Sequence, residues 1–516
     1  MTIFDQSDDS VVVVIGSGAG GGVLANELAQ AGVNVVCLEA GPRLTFGDIV
    51  NDERVMDERL TWHDRRFGEG ILNPKFPAWM CKTVGGTTMH WTGTAVRLQA
   101  HEFAPKTQYG LADTSAIDWP LTRAELDPYY ALAERKMGVS GTNGLPPLPM
   151  NNNMKVLAAG ARALGYKHVT STGVAINSAA YDGRPQCQQI GFCKSGCVIG
   201  AKWSTLYTEV PKAEETGRFE LRPNSMALKI EVDGAGKASA VVYAGADGQL
   251  YRQRARAVCV AGNAIETPRL LLNSASAEHP DGLANGSGHV GRNYLKHVVI
   301  GALGFMPGEV HFYRGAQQGG HIADEQRHDG RRGFAGGYQI ESAAFSPLAV
   351  ARIAFGGVWG EDLADALKDY TKIAATFITG EDPAQSGNGV RLHPEEKDAY
   401  GLPAPIVHYE DHANAVPMRD HAARQARAIF EAVGAARVAP FRVNMATHNL
   451  GTCRMSADPR DGVCDAYGRT HDVANLFISD GSAFSSSGSA NPTLTIVALA
   501  IRQAAHIRES MAKGEL

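Results

Sequence analysis

Val11 to Ile15 form an unbroken apolar, β-branched run that enters Gly16-Ser17-Gly18-Ala19-Gly20-Gly21 without a linker. No other feature constrains the fold of this chain as strongly. A buried-type strand that stops at a glycine-rich turn and continues as an apolar-periodic helix, here carrying Val23, Leu24, Leu28 and Ala29, opens a βαβ unit. A second strand over Val33–Leu38 completes the unit and ends at Glu39. Parallel strands joined by a crossover helix imply an α/β fold whose ligand sits at the carboxyl ends of the strands.

The glycines have separable tasks in such a turn. Gly16 permits the tight bend, Gly18 lets backbone amides approach a pyrophosphate, and Gly21 allows close packing of helix on strand. The helix N-terminus supplies a positive field for the phosphates. Glu39, 23 residues after Gly16, is placed to accept both ribose hydroxyls, and its charge would repel a 2′-phosphate, which argues against NADP. NAD and FAD both satisfy this unit.

With 516 residues the chain can build two sizeable cores. Its net charge of -5 comes with no Lys/Arg block, so a nucleic-acid partner is not expected. No apolar run approaches the roughly 18 residues of a bilayer crossing, so no direct membrane span is expected. The acidic start reads as the approach to a first strand rather than a signal peptide.

Residues 146–204 read as loops and short strands. Strands are expected over Phe219–Val232, Ala238–Tyr243 and Ala255–Ala261, the last followed by a helix over Glu266–Asn273 where the nucleotide-binding domain resumes. Residues of about 300–440 suit an antiparallel sheet with covering helices. A strand over Leu476–Ser479 and a helix from Thr493 to Arg508 close the chain.

Several motifs then act together. Val84-Gly85-Gly86-Thr87-Thr88-Met89-His90-Trp91-Thr92 is followed by Ala261-Gly262-Asn263, Glu266-Thr267-Pro268-Arg269, and Val290-Gly291-Arg292-Asn293 with His297. Near the end come His448-Asn449-Leu450-Gly451-Thr452, Asp480-Gly481-Ser482 and Asn491-Pro492-Thr493-Leu494-Thr495. In this set the chain resembles the glucose–methanol–choline (GMC) oxidoreductases. Within that family it is similar to the FAD/iron–sulfur large subunit of bacterial glucose, fructose and gluconate dehydrogenase complexes and to glucoside 3-dehydrogenase-like enzymes.

The resemblance implies an FAD-binding Rossmann-type domain of residues 1–100, 205–300 and 440–516. It also implies a discontinuous α+β substrate domain of residues 101–204 and 301–439, built on an antiparallel sheet and including the cysteine loop 187–197. It assigns FAD contacts to Gly16, Gly18, Gly21, Glu39, Gly85, His90, Thr92, Ala261, Asp480, Asn491 and Thr493, with His90 as the point of covalent attachment. Without the family, Asp480 would read equally well as a turn-forming Asp-Gly.

Oxidation of a carbinol requires a base for the hydroxyl proton and an acceptor for the hydride, and neutral imidazole suits the first role near pH 7. The resemblance places His448 as that base, facing flavin N5, and Asn491 as a hydrogen-bond donor to the same substrate oxygen, where many family members carry a second histidine. Pro492 sits where the last helix should start, so its free amides can face the flavin N1–C2=O edge.

Cys187, Cys193 and Cys197 are spaced by six and four residues in a glycine-containing loop. Three nearby thiolates suit a 3Fe-4S cluster, because a cubane normally asks for a fourth cysteine and structural zinc for four ligands. A zinc site completed by a remote residue, or a disulfide with a spare thiol, are the alternatives. The resemblance implies that the cluster passes electrons from FAD to a cytochrome c. It also implies a small chaperone-like subunit that supplies the export signal, so the chain is periplasmic by co-export or else cytoplasmic.

The reading is therefore an FAD-dependent dehydrogenase acting on a secondary or anomeric hydroxyl of a sugar or glycoside. One alternative is a pyranose-type oxidase using O2. The other is a flavin-binding electron-transfer subunit with no substrate site of its own.

Overall fold

The structure, a computed structural model, describes residues 3–171 and 173–516. β1 (Val12–Ile15) and β2 (Val35–Leu38) are wholly buried and run parallel, paired from Val12–Val35 to Ile15–Leu38. α1 (Ala19–Gln30) crosses between them. β3 (Phe219–Arg222) adds beside β2, β4 (Ala257–Val260) beside β1, and the closing strand Leu476–Ile478 beside β4, all parallel. Strands covered on both faces need continuous apolar sequence, which is why β1, β4 and the closing strand are read so readily.

α2 (Asn263–Asn273) follows β4, and α3 (Thr493–Ala512) packs on α1 and on the helix Arg123–Met137. This core gathers three distant stretches of chain around β1. Among the described residues no helix is long and apolar enough to cross a membrane.

A second sheet is antiparallel throughout. β5 (Val298–Phe305), β6 (Gly320–Ile322), β7 (Tyr338–Ser342), β8 (Ile373–Gly380) and β9 (Arg437–Phe441) join the short strand Val169–Ser171 in the order β9, β5, β8, β7, β6, 169–171. Successive strand residues alternate between faces. Tyr338 and Ile340 of β7 therefore enter an apolar core with Met154, Leu157, Met418 and Phe430, whereas Gln339 and Glu341 point to the opposite face, which is also buried.

Three sequence expectations need correction. The stretch 146–204 is not only loops and short strands, because Asn152–Ala163 is a helix. Asn151 caps it by accepting from Met154 N, and Met154, Leu157, Ala158 and Ala161 give it a buried stripe that the surrounding Asn and Gly obscure. The divisions drawn at 300 and 440 fall inside β5 and β9. Finally, the strand Phe67–Gly70 pairs in parallel with Pro403–Tyr409, so early chain joins a sheet made with residues of the 301–439 segment.

Candidate active site

A cleft opens where β1, β2 and β4 end, and its walls include Gly16, Gly18, Glu39, Ala261, His448, Asp480 and Thr493. Gly16 adopts φ +97°, and a side chain there would meet the Ala261 carbonyl at 2.4 Å. A Cβ at Gly21 would lie 2.0 Å from the Gly16 carbonyl, so Gly21 serves the strand–helix contact and does not face the cleft. α1 starts at Gly18 with no side-chain cap and no acid in its first turn. Its first amides therefore have no intrahelical acceptor, as anion binding requires.

Glu39 is fixed by its neighbours. Its Oε2 accepts from Ser17 N at 3.1 Å and Ser17 Oγ at 2.7 Å, and its Oε1 accepts from Gly41 N at 2.9 Å. Oε2 thereby uses both of its lone pairs, and Oε1 keeps one for a ribose hydroxyl. Ser17 Oγ also accepts from Gly85 N at 3.1 Å, which locks the second glycine motif onto the first. Nearby, Trp62 lines the cleft and its indole N–H is buried without an acceptor, a donor available to a nucleotide.

Asp480 follows the closing strand and is fully committed. It accepts from Asn263 N at 2.8 Å, Thr267 Oγ1 at 2.5 Å, Ser482 N at 2.8 Å and Ser482 Oγ at 2.5 Å. Burial raises its pKa against those four bonds. It joins the start of α2 to the loop after the closing strand, both of which border the cleft.

At the other part of the cleft, Thr447, His448, Pro492 and Thr493 form the wall. Burial pushes the His448 imidazole down to about 4, so it is neutral at pH 7. Its Nδ1 lies 2.7 Å from Nδ1 of His297, which is buried and held well below the usual histidine range by burial and by His448. α3 begins at Pro492 with no side-chain cap and no acid in its first turn, leaving its amides open beside His448. Asn491 is buried just behind Pro492, and its Oδ1 accepts from Gln339 Nε2 at 2.6 Å.

Gly85 takes φ +94° and starts the single turn Gly86–Met89 that ends at His90. His90 is buried behind the cleft wall, stacked on Trp79 at 4.2 Å, and its Nε2 has no partner. Trp79 itself lines the cleft. Thr92 lies beyond, donating its hydroxyl to Gln318 Oε1.

The three cysteines are free and half-buried. Gln189 N donates to Cys187 Sγ and Lys202 N to Cys197 Sγ, each at 3.4 Å. Burial pushes the Cys187 thiol up to about 11 and raises Cys193. Four-coordinate zinc at about 2.3 Å would draw its sulfurs to within ~4 Å of one another. Among the described residues, the only three-ligand group that tight is His101, Glu102 and Glu381. The cysteine trio therefore has the donor type and amide hydrogen bonds of a thiolate site but is not gathered around a single ion.

Lys202 connects this loop to the second glycine motif. It is 1% exposed, and Nζ donates to the carbonyls of Met89 (2.9 Å), Trp91 (2.7 Å) and Cys193 (2.7 Å). Trp91 lines the cleft, so one buried cation spans from cleft wall to cysteine loop.

Sequence profiles of GMC oxidoreductases match residues 10–299 and 384–500. The chain belongs to the GMC oxidoreductase family. The 2-methyl-1,2-propanediol dehydrogenase of Mycolicibacterium austroafricanum is 32% identical, covering 98% of this chain and 96% of its own. The fructose dehydrogenase large subunit of Gluconobacter japonicus is 31% identical over 98% of each chain. Paromamine 6'-oxidase of Streptomyces fradiae is 31% identical over 97% of this chain and 92% of its own. Pyridoxine 4-oxidase from Mesorbium loti shares the fold, with a TM-score of 0.69 at 17% identity over 97% of this chain and 99% of its own.

This GMC oxidoreductase is an FAD enzyme acting on CH–OH groups, and the residues around the cleft fit that cofactor. Glu39 and the orphaned Trp62 donor suit the nucleotide, the α1 amides the pyrophosphate, and the α3 amides the ring. Sequence reasoning gave no role to His297, Gln339 or Glu341. His297 stood in a motif as a signal, whereas Gln339 and Glu341 lie on β7 in a stretch with no motif.

Proposed function

We propose that this protein is an FAD-dependent dehydrogenase that oxidises a secondary or anomeric hydroxyl of a sugar or glycoside. The observation that carries this reading is the imidazole pair at the cleft, a neutral His448 backed by His297 at 2.7 Å. For His448 to act as base through Nε2, that nitrogen must be unprotonated. Its Nδ1–H then donates to His297 Nδ1, and His297 carries its own proton on Nε2, which is buried without a hydrogen-bond partner. The tautomer of one ring thus sets that of the other.

Bound FAD supplies a hydride acceptor at N5. His448 takes the hydroxyl proton, and Asn491 donates a hydrogen bond to the same oxygen. The first amides of α3 favour negative charge at the ring edge they face. The sheet face next to Asn491 is polar and buried, with Gln339, Glu341, Thr379 and His321, which suits a polyol better than an apolar alcohol.

His90, with its unpartnered Nε2 stacked behind the cleft, is the attachment point for a covalent flavin in this reading. Cys187, Cys193 and Cys197 would hold a 3Fe-4S cluster that carries electrons onward. Amide donors at the sulfurs and the buried Lys202 cation suit an anionic cluster. A cytochrome c takes the electrons, and a small chaperone-like subunit brings the chain to the periplasm by co-export. Without that partner the chain is cytoplasmic.

A second reading, an oxidase that passes electrons to O2, is favoured by the 31% identity with an oxidase. A panel of sugars and glycosides with a dye acceptor, followed by product identification, tests the dehydrogenase reading. Peroxide formation as fast as dye turnover would replace it with the oxidase. Failure of every polyol to reduce the flavin would leave only an electron-transfer subunit.

A further inference from the structure

The three hydrogen bonds of Lys202 fix its charge. Its Nζ lies 2.9 Å from the Met89 carbonyl oxygen, 2.7 Å from that of Trp91 and 2.7 Å from that of Cys193. A carbonyl can only accept, so three of them call for three N–H donors; an ammonium has three and a neutral amine two. Lys202 is therefore a cation, and it is 1% exposed. No carboxylate pairs with it among the described residues, and the acids that act on it are the thiols of Cys193, Cys197 and Cys81. A buried charge without a partner is costly to keep, so its presence asks for an anion at some stage of the protein's work.

Two of the three carbonyls belong to the second glycine motif and flank His90. Trp91 lines the cleft, as do Thr87 and Thr88. Residues 202 and 203 hold Trp91 by backbone and side chain alike, since its indole Nε1 donates to the Trp203 carbonyl at 3.0 Å. His90 stacks on Trp79, another residue of the cleft wall, and Trp79 N donates at 2.9 Å to the carbonyl of Ala446, in the segment that leads to His448. Lys202 thus stands behind the wall at the end of the cleft where His448 and the open amides of α3 lie.

We infer that Lys202 is the fixed cation that favours the reduced flavin, facing from behind the wall the negative charge that reduction places on the ring. The inference needs FAD in the cleft, which membership of the family supplies, and no particular substrate. Hydride transfer from an alcohol moves one proton and two electrons onto a neutral ring while the hydroxyl proton leaves to the base, so one unit of negative charge appears on the ring. A full charge held in a buried setting acts over more than one residue's thickness, because little solvent screens it and it need not reorganise. The α3 amides supply a partial positive charge to the same end of the cleft. Lys202 adds a whole one from the wall made by the second glycine motif. Its third bond, to Cys193, reaches the cysteine loop, so the loop and the cofactor wall share one cation.

The test is the midpoint potential of the flavin, read from its visible absorption while the flavin-loaded full chain is reduced stepwise under anaerobic conditions beside a reference dye, with no sugar present. K202M removes the charge at similar volume, and K202Q removes it while keeping an N–H donor for the carbonyls. Each should shift the ratio of reduced to oxidised flavin about tenfold toward the oxidised form at a given potential, a midpoint about 30 mV below the parent. K202R, which keeps the charge, should stay near the parent value. If one neutral variant fails to hold flavin, the other carries the test. A parent-like potential in the neutral variants would overturn the inference and leave the cation to the cysteine loop. An equal drop in K202R and K202M would overturn it too, because the shift would then follow packing and not charge. Failure of every sugar to bleach the flavin would strike the proposed function and leave this measurement standing.

Discussion

Nδ1 of His297 and Nδ1 of His448 face each other at 2.7 Å, with their ring planes at 88°. Two nitrogens at that separation share one proton, so the tautomer of one ring dictates that of the other. Both rings are held neutral by burial. The pair therefore delivers a single unprotonated nitrogen to the cleft without a carboxylate behind it.

Removing the base should be costly. H448A is expected to keep its flavin and lose substrate-driven flavin reduction by about 10²–10⁴-fold, the usual span for a general base. H297A, which frees the ring without removing it, should lose less and should recover in part in H297N, whose side chain can still accept from Nδ1–H. Single-turnover bleaching of each variant is the measurement.

The pH dependence follows from the direction of the His448 shift. In the proposed reaction His448 works as neutral imidazole, and burial pushes it down to about 4. kcat/KM should hold as pH falls through 6 and decline only as it approaches that value. A decline centred near the ordinary histidine value of about 6.5 would mean that the working base is a solvated group.

For His90 the expected result is a flavin that stays with acid-precipitated protein and is released from H90A. Burial pushes this imidazole down to about 3, so its Nε2 lone pair is free for bonding. Flavin released into the supernatant from the parent protein would contradict the covalent bond.

The βαβ opening was legible because its requirements are local: a β-branched run, a turn needing φ +97° at Gly16, and an acid at the next strand end. The closing motif was legible for similar reasons, since Asp480 and Pro492 mark the ends of a strand and the start of a helix. The helix Asn152–Ala163 was not, because its stripe is short and set among Asn and Gly, and only tertiary burial of Met154 and Leu157 makes it pay. Gln339 was invisible for another reason. Its role depends on the pairing of β7 with β6 and β8, which brings its amide to Asn491 from 152 residues away, and no local pattern encodes that.

Glu341 should leave a mark on stability. Its unfolded pKa of about 4.3 is raised to about 8 by burial. A raised folded value means that its contribution is intact below the unfolded pKa and is lost as pH rises through the folded one. Thermal unfolding of the parent should therefore weaken from pH 5 to pH 9 more than that of E341Q, and equal slopes would deny the shift.

In the cysteine loop, iron and labile sulfide are expected in protein purified under anaerobic conditions, with an EPR signal from the oxidised sample. C193S should lose the cluster signal and the transfer of electrons to cytochrome c while keeping flavin reduction by sugar. Zinc in place of iron would overturn this assignment.

The most direct measurement is anaerobic mixing of purified, flavin-loaded protein with a series of sugars and glycosides while the visible flavin absorption is recorded. Bleaching by at least one of them in the parent, and its near disappearance in H448A, is the predicted result. An absorption that no polyol changes, or equal bleaching in H448A, would contradict an alcohol site built on the His448–His297 pair.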